Sequence, residues 1–120
     1  MKEKKVLNLS LTKEWYEKVA SGEKTDEYRE IKPYWTNRLF DVRKETSTIF
    51  VGFDTALKEL VNSGCMFKRP YTHVRFTNGY PKGGEPYIEK EIVSITIGKP
   101  KKGLCPDKWL DKDFFVIKFK

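Results

Sequence analysis

Cysteine and histidine are scarce: two Cys, at 65 and 105, and one His, at 73, in 120 residues. No Cys-x-x-Cys pair occurs, and two distant thiols with one imidazole do not make a four-ligand zinc site. No metal and no cofactor is therefore expected. A chain of this length does not need a disulfide framework, so the thiols read as reduced and the protein as cytoplasmic. A membrane span is also missing, since no apolar run approaches the ~20 residues that one requires. The charged start Met1-Lys2-Glu3-Lys4-Lys5 is not followed by an apolar stretch of signal-peptide type, so export is not expected. Repeats, low-complexity blocks and Pro/Ser-rich linkers are absent, and one domain over residues 1–120 is expected. No Ser/His/Asp constellation can be argued from the lone His73, which opens a strand and reads as a surface or hydrogen-bonded residue rather than a catalyst. Nothing around Cys65 or Cys105 suggests an activated thiol. Gly83-Gly84 makes a turn without a phosphate-loop pattern.

Basic charge and aromatic rings are what the chain has in quantity. Lys and Arg total 24 against 17 Asp and Glu, a net charge of +7. That balance favours polyanionic partners, nucleic acid before an anionic membrane. Aromatic residues make up 14%, too many for a disordered chain.

The hydropathy pattern predicts mostly strands. Leu7, Leu9 and Leu11 share one face of a strand over 6–11. Thr12 suits a helix N-cap, Gly22 a left-handed position after the helix, and Trp15, Tyr16, Val19 and Ala20 its inner side, with Trp15 in the core. Glu14 and Lys18 stand four apart and can pair on the other side. Residues 23–31 alternate as a strand, with Thr25, Glu27, Arg29 and Ile31 on one face. Pro33 opens a short helix carrying Trp35, Leu39 and Val42. Thr48 to Phe53 reads as a strand, and Asp54 as the cap of a helix through Asn62, with Leu57, Leu60 and Val61 inward and Gly64 as its stop. Strands follow over 73–80, 87–98 and 114–119. The fold class is α+β, mainly β: about six strands in a mainly antiparallel curled sheet or small barrel, with two or three helices.

The densest polar stretch is Gly22-Glu23-Lys24-Thr25-Asp26-Glu27-Tyr28-Arg29. It places Lys24 at a turn and Glu27 and Arg29 on one strand face. If that face is interior, the charges must be paired or must bind something. If it is exposed, it is an edge strand whose charges discourage aggregation.

Together with Leu9-Ser10-Leu11 and Trp15-Tyr16 before it and Pro33-Tyr34-Trp35 after it, this stretch resembles the start of the ASCH (activating signal cointegrator homology) domains of the PUA-like superfamily. Val74-Arg75-Phe76-Thr77-Asn78-Gly79-Tyr80 and Phe115-Val116-Ile117 extend the resemblance more loosely. It implies a small PUA-like β-barrel with a cleft beside the first helix, in a family regarded mainly as RNA-binding. On that reading Lys24, Glu27 and Arg29 line the cleft, and Tyr34, Trp35, Asn78 and Tyr80 contribute to it. Lys24 and Arg29 would meet phosphate or a base edge, Glu27 would orient Arg29 or accept from an amino group, and the rings would stack on unpaired bases.

One ASCH branch consists of amidohydrolases acting on N4-acetylcytidine through a lysine, a threonine nucleophile and a glutamate. Lys24 matches that lysine, but the threonine position three residues later is Glu27 here. The expected partner is single-stranded RNA, a nucleotide or a nucleoside, and no membrane. The alternative is a small hydrolase of nucleoside or RNA metabolism, with Lys24 and Glu27 catalytic and Glu91 as a further general base. A third reading is a module that binds a protein partner.

Overall fold

The computed structural model describes residues 3–40, 55–64, 68–80 and 82–120. The order is β1 (Val6–Leu11), α1 (Lys13–Ala20), β2 (Asp26–Arg29), α2 (Pro33–Leu39), α3 (Thr55–Asn62), β3 (His73–Asn78), β4 (Tyr87–Gly98), a 3-10 turn (Asp107–Trp109) and β5 (Phe114–Phe119). The class is α+β and mainly β. The expected strand over 48–53, the Asp54 cap, the inward Leu57 side chain, Val42 and Cys65 lie outside the described residues.

Five strands form one mixed sheet in the order β1-β3-β4-β5-β2. β1 and β3 run parallel, from Val6 opposite His73 to Leu11 opposite Asn78. β3 and β4 are antiparallel, from His73 opposite Glu91 to Thr77 opposite Tyr87. The sheet is open rather than closed into a barrel, with β1 and β2 at the ends of that order. Five strands are present among the described residues, against the six expected.

By packing, the chain divides into two compact units: residues 1–27, 70–94 and 117–120 in the first, and 28–69 and 95–116 in the second. In the first, the alternation of β1 buries Leu7, Leu9 and Leu11. Val19 of α1, Val74 and Phe76 of β3, and Ile117 and Phe119 of β5 are buried in the same unit, with the Phe76 and Phe119 rings 5.1 Å apart. Each such side chain contributes ~1.5–3 kcal/mol by leaving water. Trp15 is half-buried rather than in the core, and Ala20 is exposed. Lys18 turns to Glu23 at 3.3 Å. Its expected partner Glu14 lies one turn earlier, whereas Gly22, at φ +83°, sends the chain back past Lys18.

In the second unit Leu39, Phe40, Val61, Ile95, Ile97 and Phe115 are buried, with the Phe40 and Phe115 rings 5.8 Å apart. Glu91 and Val93 of β4 are exposed, whereas Ile95 and Ile97 on the same alternation are buried. Asn62 of α3 accounts for the inner end of that strand. Its amide donates to the Ile97 carbonyl at 2.9 Å, and its oxygen accepts from the Ile97 N–H at 2.8 Å. A second cluster joins Tyr28, Cys105 and Phe114 to Leu104, Trp109, Leu110 and Val116. The start of β5 is thus buried on both faces.

On the polar face of the first unit Arg75 stands opposite Glu89. Arg75 Nε and Nη2 donate to Glu89 Oε1 at 3.1 and 2.9 Å, and its guanidinium lies 4.2 Å from the Tyr87 ring centre. Lys4 completes the group by pairing with the other oxygen of Glu89. Hydrogen bonds from Lys4 first and Arg75 second hold the Glu89 carboxyl below its ordinary value near 4.5. A lowered folded-state value stabilises the fold fully above the ordinary value, and that contribution is lost as pH falls through the lowered one. Glu89→Gln should therefore give urea midpoints that fall less steeply than wild type below about pH 4.5. Parallel curves for the two proteins would show that the Lys4–Glu89–Arg75 group does not contribute.

Candidate functional site

The turn after α1 creates the first centre, which lies wholly in the first unit. Ser21 N–H donates to the Glu17 carbonyl and Gly22 N–H to the Val19 carbonyl, closing the helix. Lys24 N–H then donates to the Lys18 carbonyl at 3.0 Å, which folds the next residues back along the helix end. The strand consequently begins at Asp26 and not at Glu23. The fold-back carries the Lys24 side chain inward, where its ammonium donates to Glu27 Oε1 at 2.8 Å. The two side chains are 3% and 6% exposed. The Lys24 ammonium also sits 4.8 Å from the centre of the Trp15 ring, whose π face favours a cation. Asp26 is buried as well, at 5%. The Lys24 ammonium is thus already engaged by a carboxylate. A phosphate reaching Lys24 would have to displace Glu27.

The second centre lies wholly in the second unit and is built on α2. Pro33 occupies the first turn, where its missing N–H costs nothing, and the Thr36 hydroxyl and N–H both donate to the Lys32 carbonyl at 2.9 Å. Tyr34 and Arg38 stand one turn apart, and Arg38 Nη1 donates to Tyr34 Oη at 3.0 Å. The Tyr34 and Trp35 rings meet edge to face at 4.9 Å and 75°. The Arg29 guanidinium lies 5.0 Å from the Trp35 ring centre and the Arg38 guanidinium 5.4 Å from it. Tyr34 remains 54% exposed. Arg69 Nε donates to the Asn37 carbonyl at 2.7 Å, bringing a third guanidinium to the same helix.

Of the residues read from the sequence, Lys24 and Glu27 come together, and Arg29, Tyr34 and Trp35 come together. Asn78 and Tyr80 end β3, where Gly79 N–H donates to the Leu11 carbonyl and the Thr77 hydroxyl to the Gly79 carbonyl. Tyr80 is 88% exposed. Glu91 is exposed and pairs with Lys120 at 3.4 Å. His73 shares a hydrogen bond with the neighbouring Thr72 hydroxyl at 2.8 Å. The sequence reading missed Arg38 and Arg69. Arg38 was legible, because a helix opened by Pro33 places it one turn from Tyr34; Arg69 comes from a distant segment and left no local signal.

Removing one member of the buried pair should cost more than removing both. Lys24→Met leaves a buried carboxylate and should lower the unfolding free energy by about 3–5 kcal/mol, and Lys24→Met with Glu27→Leu should recover most of that loss. Urea unfolding of the single and double variants checks this, and a double variant as unstable as the single one would refute it. The chain matches no protein-family model, no curated protein and no solved structure.

Proposed function

We propose that this chain is an ASCH-type, PUA-like domain that binds single-stranded RNA or a nucleotide. The observation that carries the reading is the group on α2 and β2: Arg29 and Arg38 within 5.4 Å of the Trp35 ring centre, beside a Tyr34 ring that is 54% exposed. An exposed ring next to guanidiniums is what an unpaired base and its phosphate require. The ring supplies a stacking surface for any base, and arginine offers phosphate a forked pair of donors. The distribution of charge supports the same reading. The second unit has 13 Lys and Arg against 8 Asp and Glu, a net +5, whereas the first has 11 against 9, a net +2. The resemblance to ASCH domains rests on Gly22, Lys24, Glu27 and Arg29, and on this reading Lys24 and Glu27 brace the strand that presents Arg29.

A hydrolase of nucleoside or RNA metabolism is the second reading, favoured by the Lys24–Glu27 pair itself. A lysine and a glutamate 2.8 Å apart and nearly out of water form a proton donor and acceptor in one hydrogen bond. On that reading Lys24→Arg abolishes turnover while RNA binding persists.

Titration with a short single-stranded RNA at moderate salt tests the binding reading, with intrinsic tryptophan fluorescence as the signal. Wild type should bind saturably, with an affinity that falls steeply as salt rises. Tyr34→Ala should weaken binding by about fivefold or more, since one base–aromatic stack is worth ~1–3 kcal/mol, and Arg38→Ala should reduce both affinity and salt dependence. Equal binding by wild type and both variants would place the RNA elsewhere on the basic surface. No binding by wild type would leave the nucleoside hydrolase and protein-partner readings.

A further inference from the structure

A cavity of about 470 Å³ opens in the second unit beside Trp109, lined by Glu30, Ile31, Lys108, Trp109, Lys112 and Asp113, with Phe114 behind. That volume falls in the range of small-molecule sites, ~300–1,000 Å³. We propose that it binds a small anionic ligand with a planar ring, of the nucleoside monophosphate class. The proposal concerns a site separate from the α2 group and does not rest on the RNA reading.

Its ring surface is already in place. Trp109 is stacked on Phe114 with centroids 4.6 Å apart and planes 19° apart, and Phe114 is buried against Tyr28 and Cys105. The turn carrying the indole is held by three backbone bonds, Trp109 N–H to Pro106, Leu110 N–H to Asp107 and Lys112 N–H to Trp109. The Tyr28 hydroxyl, accepting from Lys101 N–H at 3.1 Å, ties the underlying strand to the same loop. A ring entering this cavity meets an indole that need not reorganise, which removes one cost of binding.

The charge around it favours an anion. The Asp113 carboxylate is met by Lys58 at 3.3 Å and by Lys99 at 3.8 Å, so its charge is answered from outside the lining. Lys108 and Lys112 line the cavity, are exposed, and have no acidic partner among the described residues. With Asp113 answered, Lys108 and Lys112 against Glu30 leave a net +1 in the lining. A phosphate supplies the missing negative charge and a base the planar surface. Glu30, also in the lining, is an acceptor for an exocyclic amino group such as that of adenine.

Titration calorimetry with AMP, adenosine and orthophosphate at low salt tests the proposal, with amide and indole N–H shifts locating the site. AMP should bind saturably and shift the Trp109 indole signal, and adenosine and orthophosphate should each bind at least about tenfold more weakly, because each lacks one half of the contact. Lys108→Ala with Lys112→Ala removes two exposed side chains, leaves the core intact and should weaken AMP by about tenfold. Tyr34→Ala should leave AMP at Trp109 unaffected, which separates this site from the RNA reading. No saturation by millimolar AMP, unchanged affinity in the double lysine variant, or shifts confined to Trp35 and its neighbours would each overturn the proposal.

Discussion

An ion pair taken out of water constrains everything around it. Each partner loses its hydration, and only close geometry with the other returns that energy. Lys24 and Glu27 meet this condition across 2.8 Å, and the local chain is arranged to allow it. Gly22 takes a positive φ that reverses the chain, the Lys24 amide is tied to the Lys18 carbonyl, and Trp15 is kept at the edge of the core where its ring faces the ammonium. The half-buried Trp15 and the late start of β2 are consequences of this single requirement. A neutral pair at the same positions would not need the ring there.

Where each unit holds its cations bears on function more than the total charge does. In the first unit Lys4 and Arg75 meet Glu89, Lys13 meets Glu17, Lys18 meets Glu23, Lys24 meets Glu27 and Lys120 meets Glu91. These positive charges are answered by carboxylates of the same unit. In the second, Lys58 and Lys99 meet Asp113, Arg29 and Arg38 lie against Trp35, Arg69 donates to a backbone carbonyl, and Lys108 and Lys112 stand beside a cavity. The second unit thus sets cations beside rings and a cavity, the pairing that a planar anionic ligand uses.

The sequence showed the elements whose boundaries are set locally. Strict alternation marks residues 6–11, a glycine marks the end of α1, Pro33 marks the start of α2, and the apolar runs at 87–98 and 114–119 become β4 and β5 over the same residues. Less was legible wherever distant residues decide. The parallel pairing of β1 with β3 joins segments separated by most of the chain, and nothing in either strand specifies it. Burial on both faces of β2 escaped notice because Asp26 and Glu27 look like surface residues until Lys24 and the surrounding core are in place. Of the site, the pairing of Lys24 with Glu27 could be read from spacing, and so could the neighbourhood of Arg29, Tyr34 and Trp35. The inward turn of the Lys24 side chain could not, because it depends on the fold-back of its amide onto the Lys18 carbonyl. The cavity at Trp109 was hidden because its walls come from distant stretches: the residues just after β2, the 3-10 turn, and Lys112 to Phe114 at the start of β5.

The same physics that makes Lys24 and Glu27 stable partners separates binding from catalysis. A proton can move between buried partners only if one state is not too strongly preferred, and a substrate must reach them. Lys24, with 3% of its side chain exposed and Glu27 already at hydrogen-bond distance, is occupied in the free protein. A substrate would have to supply a group that replaces the carboxylate at the ammonium, and it would leave Glu27 buried and charged unless it also took that proton. Binding at Tyr34 and Trp35 carries no such penalty. The Tyr34 ring is already exposed, so a base can stack on it without opening the Lys24–Glu27 pair. On energetic grounds the α2 group is the easier place for a first encounter with an anionic, planar partner, and chemistry at Lys24 requires in addition a ligand that opens the buried pair.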